Sequence, residues 1–205
     1  HDPSFPLQAA RYCLAEAGIT SRDLHCIGYY DKPLLTFERL LETHLATAPA
    51  GIRLFWKSMA VWLKKKLWIP QMIQHELEFD GPVLFGEHHE SHAASAFYPS
   101  PFAEAAIITV DGVGEWTTTS YGYGSGCDIH TLADIKFPHS LGLLYTAITY
   151  FTGFKANSGE YKLMGLAPYG QPRYVDRMMD NLIDLKEDGS FKLNMRYFNY
   201  LAGLT

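Results

Sequence analysis

Cysteine is scarce, with only Cys13, Cys26 and Cys127 in 205 residues, odd in number, far apart and without CxxC spacing. This excludes a disulfide framework and a cysteine zinc site, and it fits a reducing cytoplasm. Positive charge is also in deficit, with 17 Lys and Arg against 22 Asp and Glu for a formal net charge of −5. Proteins that grip a phosphate backbone carry a basic domain or stripe, so no nucleic acid partner is expected and small molecules are. No run reaches the roughly 18 uncharged apolar residues of a membrane span, and a basic-then-apolar signal pattern is missing from the start. No Walker phosphate loop and no Ser/His/Asp triad context is visible.

Against these absences stands a 47% hydrophobic content with 19% charged residues, which fits a globular protein with a real core. No internal repeat, low-complexity tract or flexible linker splits the chain. The opening His1-Asp2-Pro3-Ser4-Phe5-Pro6 leads straight into a helical pattern without an initiator Met, and the aromatic stretch Arg196 to Thr205 shows no helix stop. Both ends read as cut, so a fragment is expected.

Apolar residues Leu7, Ala10, Cys13, Leu14 and Ala17 at 3–4 spacing predict a helix over 6–18, closed by Gly18. Residues 24–30 predict a short buried strand, and Thr36 is the expected N-cap of a helix running to Leu45. Over 51–79, aromatic residues surround Lys64-Lys65-Lys66. A helical excursion with a solvated lysine face is preferred there to a basic helix lying on a membrane. From Pro82 the pattern alternates: strand 83–85, helix 88–97, buried strand 105–110, hairpin strand 116–124, strand 129–136 and helix 140–150. The class is α/β with a mixed sheet.

The sharpest constellation is Glu87-His88-His89-Glu90-Ser91-His92. Positions four apart share a helix face, so His88 and His92 can offer their imidazoles to one metal ion, while His89 points elsewhere. A zinc peptidase helix places glutamate directly after its first histidine, and here that position is His89. Asp111, at the end of an apolar strand, can supply a third ligand and leave positions open for substrate. In the same turn, Asp111-Gly112-Val113-Gly114-Glu115, two glycines allow backbone N–H groups to approach an anion, although an ordinary hairpin fits equally well. Within 154–170, Gly159, Gly165 and Gly170 bracket Asn157, Glu160 and Lys162, which could contact a ribose and phosphates, or simply form a capped helix.

These residues resemble the NodU/CmcH family of O-carbamoyltransferases. The matching strings are His88 to Pro101, Thr109-Val-Asp-Gly-Val-Gly-Glu-Trp116, Leu141-Gly-Leu-Leu-Tyr145 and Asn157 to Gly170, with weaker similarity over 1–33. The resemblance implies an actin-like, sugar-kinase-like (ribonuclease-H-like) fold with a mixed sheet flanked by helices. Residues of about 1–104 would be the remainder of a first subdomain with a helical insertion at 34–80, and residues of about 105–205 the start of a second.

It further implies that carbamoyl phosphate and ATP give a carbamoyl-adenylate in a C-terminal YrdC-like domain, absent here. The carbamoyl group would then pass to a hydroxyl-bearing acceptor in the domain represented by this chain. By resemblance, His88, His92 and Asp111 ligate Fe(II) or zinc, with a further aspartate expected beyond Thr205. Asp111 to Glu115 resemble a second phosphate loop, with Gly159, Glu160 and Lys162 as looser nucleotide contacts, and an opening Gly-His-Asp-type loop is missing. His89 is the candidate general base, and a homodimer is the assembly allowed. Two rivals remain: a relative of the tRNA-threonylcarbamoyladenosine-forming family, which would carry Ser-Gly-Gly-Asn at the phosphate turn, and a non-catalytic nucleotide- or metal-binding module.

Overall fold

The computed structural model describes residues 4–203, so the features read at residues 1–3 and 204–205 lie outside the described residues. The first helix, α1 (Leu7–Glu16), follows Pro6 and stops before Gly18, whose φ of +66° is the left-handed conformation that ends helices. Only three residues of the expected 24–30 strand pair, as β1 (Ile27–Tyr29), and they are half-buried at most. Helix α2 (Pro33–Thr47) begins a turn earlier than the expected Thr36 cap. Pro33 sits at the first position, where its fixed φ suits the helix and its missing N–H is not needed, and Lys32 is the extended residue before it.

The 51–79 segment is a helical excursion, as its pattern implied: α3 (Ile52–Lys64), a 3-10 turn at Lys66–Trp68, and α4 (Ile69–Leu77). Lys64, Lys65 and Lys66 are solvated, while Ile69, Ile73 and Phe79 are buried. Leu34, Leu35, Leu67 and Pro70 wall an apolar cavity of about 450 Å³ beside Lys32. Strand β2 (Val83–Phe85) pairs in parallel with β1, Ile27 opposite Val83, and leads directly into α5 (His88–Phe97).

Strands β3 (Glu104–Val110), β4 (Thr117–Ser125) and β5 (Asp128–Lys136) form an antiparallel meander. One expectation, a buried strand before Asp111, is corrected by this arrangement. The strand before Asp111 pairs with β4 and is not hydrogen-bonded into the β1–β2 pair. Nor is it buried on both faces: Ile107 and Thr109 point inward, while Ile108 is 74% exposed on the other side, as the period of two in a half-covered sheet requires.

Helix α5 covers the inner face. Ala93 and Phe97 pack with Ile107, flanked by Ala105 and Ile129. The Phe97 ring lies so close to β4 that a β-carbon on Gly124 would stand 2.6 Å from it. Burial of such a side chain is worth about 1.5–3 kcal/mol, which fixes α5 against the meander.

Helix α6 (Leu141–Phe151) is capped by Ser140, whose Oγ accepts from Leu143 N–H at 3.0 Å. The chain continues through α7 (Glu160–Leu166), α8 (Val175–Asn181) and a hairpin of β6 (Ile183–Leu185) and β7 (Phe191–Leu193). The architecture is mixed α/β. Among the described residues, no helix is long and apolar enough to cross a membrane.

Candidate metal centre and adjoining cleft

Three segment ends meet at the centre. The C-terminal ends of the parallel pair β1–β2 deliver Tyr30, Asp31 and His88, and the end of β3 delivers Asp111. Because α5 starts at His88, His88 and His92 fall on one face, with ring centroids 4.6 Å apart and planes nearly perpendicular at 84°.

His88 Nε2 lies 2.8 Å from Asp111 Oδ2, His92 Nε2 lies 3.6 Å from the same oxygen, and the two imidazole Nε2 atoms are 3.0 Å apart. One ligand atom from each residue thus fits within 4.8 Å of the others. Tetrahedral ligands at about 2.0–2.1 Å from zinc stand about 3.3–3.4 Å from one another, a spacing these separations bracket. Asp111 Oδ1 is occupied by the Gly112 N–H at 2.6 Å, which leaves Oδ2 turned toward the histidines. The hydrogen bond with His88 holds the Asp111 carboxyl well below the usual carboxylate range and, reciprocally, raises the His88 imidazole. His92 is about half exposed, so the cluster opens to solvent on that side.

Glu115 is 7% exposed. Its Oε1 accepts the Lys32 N–H at 2.8 Å and the His88 N–H at 3.1 Å, and its Oε2 also reaches the His88 N–H at 3.2 Å. The carboxylate thereby caps α5 from a distance, because Glu87, the local cap residue, uses its Oε1 on Lys32 Nζ at 2.9 Å. Nearby, the buried Arg39 guanidinium lies 5.1 Å from the centre of the Phe137 ring. Burial lowers its pKa to about 10, against the opposing pull of Glu115. Burial and the Glu115 charge raise the Asp31 carboxyl.

The glycines of the Asp111–Glu115 turn are committed within the protein. Gly112 N–H goes to Asp111, and Gly114 N–H goes to Thr117 O at 2.9 Å. In this structure these two amides shape the turn. Val113 is half-buried in the same turn. His89 is 6% exposed, with Nδ1 2.6 Å from Thr109 Oγ1, which in turn lies 2.6 Å from Ser120 Oγ. It faces the sheet, and burial lowers its pKa.

Beside Asp111 a cleft of about 490 Å³ is lined by Asp111, Gly112, Gly142, Tyr145, Asn157 and Glu160 among others. Ser140, fully buried, ties the two walls together, its Oγ lying 3.1 Å from Asp111 O and 2.7 Å from Gly112 O. Glu160 lines the cleft but spends its carboxylate locally, accepting from Asn157 N–H, Gly159 N–H and Thr146 Oγ1 at 2.8–3.1 Å. Gly159 is buried at the start of α7, where a β-carbon would press on Lys155 and Phe154. Lys162 is exposed on the side of α7, its ammonium 6.0 Å from the centre of the Tyr161 ring, and does not line the cleft. Lys32, Arg39 and Ser140 were not signalled by spacing, because each meets the site through the fold.

The family profile described as the carbamoyltransferase N-terminus matches residues 1–205. An uncharacterized protein of Synechocystis is 59% identical over 213 residues, covering all of this chain and 35% of that protein. Nodulation protein NolNO of Sinorhizobium fredii is 32% identical over 199 residues, 94% of this chain and 27% of its own length. Nodulation protein NolO of Bradyrhizobium diazoefficiens is 34% identical over 108 residues, covering 53% of this chain and 20% of its own. The chain thus spans about a third or less of the curated relatives it matches. With its whole length matched, the chain belongs to the NodU/CmcH carbamoyltransferase family and represents that family's N-terminal region.

Proposed function

We propose that this chain is part of an actin-like domain of an O-carbamoyltransferase in which His88, His92 and Asp111 hold one divalent ion. The cleft beside Asp111 receives carbamoyl-adenylate made from carbamoyl phosphate and ATP by a YrdC-like domain of the full-length protein. The convergence of the two Nε2 atoms and Asp111 Oδ2 within 4.8 Å carries the reading. Two imidazoles and a carboxylate form a donor set suited to Fe(II) or zinc. Such an ion supplies Lewis acidity toward the carbamoyl carbonyl or the adenylate phosphate.

The protein's own contributions follow from its contacts. Gly112 N–H fixes one Asp111 oxygen and leaves the other for the ligand cluster, and Ser140 holds the Asp111–Gly112 backbone against α6. Asn157 and Tyr145 are the cleft residues placed to meet a bound nucleotide, while Glu160 shapes the Asn157–Gly159 backbone. In the transfer, the acceptor hydroxyl attacks the carbamoyl carbon, the bond from that carbon to the adenylate oxygen breaks, AMP departs and the hydroxyl proton is released. His89 faces the meander, with its Nδ1 engaged by Thr109 Oγ1.

The test uses the full-length polypeptide, ATP and carbon-labelled carbamoyl phosphate, offered with a panel of hydroxyl compounds. Label should reach a hydroxyl acceptor with stoichiometric AMP release. Labelled threonine with bicarbonate and tRNA, in place of carbamoyl phosphate, should be inert. Incorporation from threonine alone would favour the tRNA-modifying relatives, and metal binding without any turnover would favour a non-catalytic module.

A further inference from the structure

The Asp111–Glu115 turn has a second carboxylate whose placement the phosphate-loop expectation does not explain. Glu115 is buried, yet among the described residues it forms no salt bridge, and its contacts are the backbone N–H groups of Lys32 and His88, 83 and 27 residues away. One oxygen serves both donors. Those donors stand at the starts of α2 and α5, where the first amides of a helix have no partner within it and the helix dipole favours negative charge. Between the two carboxylates of the turn lies Gly114, buried so closely against α5 that a β-carbon would stand 2.9 Å from His88 Cβ. The turn therefore supplies Asp111 to the ligand cluster and, four residues later, holds the backbone of the histidine on the other side of that cluster.

We infer that Glu115 is a positioning residue for the metal centre: it clamps the first turn of α5 to the Asp111 turn and sets the separation of His88 from Asp111. It does not line the cleft beside Asp111, and it acts on the cluster through the backbone of His88. The inference rests on metal binding by His88, His92 and Asp111, and it assigns to Glu115 a role apart from nucleotide contact. Glu115→Gln keeps an oxygen where both N–H groups converge, whereas Glu115→Ala leaves two helix starts without their acceptor. Partners that orient metal ligands in this way typically change affinity by about 10–100-fold when removed.

The experiment measures Zn²⁺ affinity by competition with a chromophoric chelator, on full-length protein, for wild type, Glu115→Gln, Glu115→Ala and Phe97→Leu, with thermal unfolding in parallel. Phe97→Leu loosens the far end of α5 without touching its start, and so controls for loss of stability alone. The expected result is a loss of about 10–100-fold in Glu115→Ala, largely rescued in Glu115→Gln, with Phe97→Leu keeping wild-type affinity at a lowered Tm. Wild-type affinity in Glu115→Ala overturns the clamp, as does an equal loss in Phe97→Leu. If wild type itself binds no Zn²⁺, the metal reading fails, which is a different result from a clamp that does not matter.

Discussion

The two glycines of the Asp111–Glu115 turn should respond differently to the same substitution. At Gly114, an added β-carbon stands 2.9 Å from His88 Cβ, 3.1 Å from His89 Cδ2 and 3.2 Å from His88 Cδ2. Ordinary carbon contacts begin near 3.5 Å, so α5 must move by about half an ångström or the turn must open. Overpacking of this kind costs about 1–3 kcal/mol, or about 2–12 °C in Tm at the 2–4 °C per kcal/mol of a domain of about 150–250 residues. The same displacement carries His88 away from Asp111 Oδ2, so Zn²⁺ affinity should fall along with Tm. At Gly112 the nearest atom to an added β-carbon is Leu143 Cδ2 at 3.9 Å, an ordinary contact, and φ is not in the left-handed region. Gly112→Ala should therefore stay within about 0.5 kcal/mol of wild type, as surface changes usually do. Calorimetry and chelator competition on both variants decide the matter. A Gly114→Ala protein with wild-type Tm and affinity would refute the close packing of the turn on α5, and a Gly112→Ala protein as damaged as Gly114→Ala would refute the contrast.

Ser140→Ala removes the α6 cap together with the contacts to Asp111 O and Gly112 O, and should cost about 1–2 kcal/mol of stability; denaturant unfolding checks the figure, and no change would show the Ser140 contacts to be idle. His139 is held below its ordinary pKa by burial first and by Lys192 second, and its Nδ1 accepts the Leu193 N–H at 3.1 Å. Its unfolded-state pKa is the higher one, so the unfolded chain takes up the proton first. The stabilising contribution of the neutral ring is full above about 6.5 and is lost as pH falls below it, levelling off under the folded pKa. Between pH 7.5 and 5.5, wild type should therefore lose more Tm than His139→Gln, and parallel losses would contradict this.

Much of the site was legible before the fold. The 88–97 helix has the bounds its pattern implied, because a four-residue histidine spacing followed by Ala, Ala and Phe suits one amphipathic face. Asp111 was marked by its place at the end of an apolar strand. Glu115 and Lys32 were legible as residues but not as partners, since a hydrogen bond across 83 residues leaves no local pattern. The apolar run of β3 suggested two-sided burial, yet only alternate residues are covered, because a run of Ile and Val reads alike in a buried strand and in one with an open face. The start of α2 was placed at Thr36 for its hydroxyl, and Pro33 won, since proline at the first helical position needs no side-chain cap. The β6–β7 hairpin went unread although Asp188-Gly189 carries a turn signal, because three-residue strands give too little alternation to register.

The most direct test of the central claim is elemental mass spectrometry of the full-length protein, as wild type and as a His88→Ala/His92→Ala variant of unchanged fold by circular dichroism. The account predicts about one iron or zinc per wild-type chain and none retained by the variant. A variant that keeps the same metal content as wild type would contradict the assignment of His88, His92 and Asp111 as the metal centre.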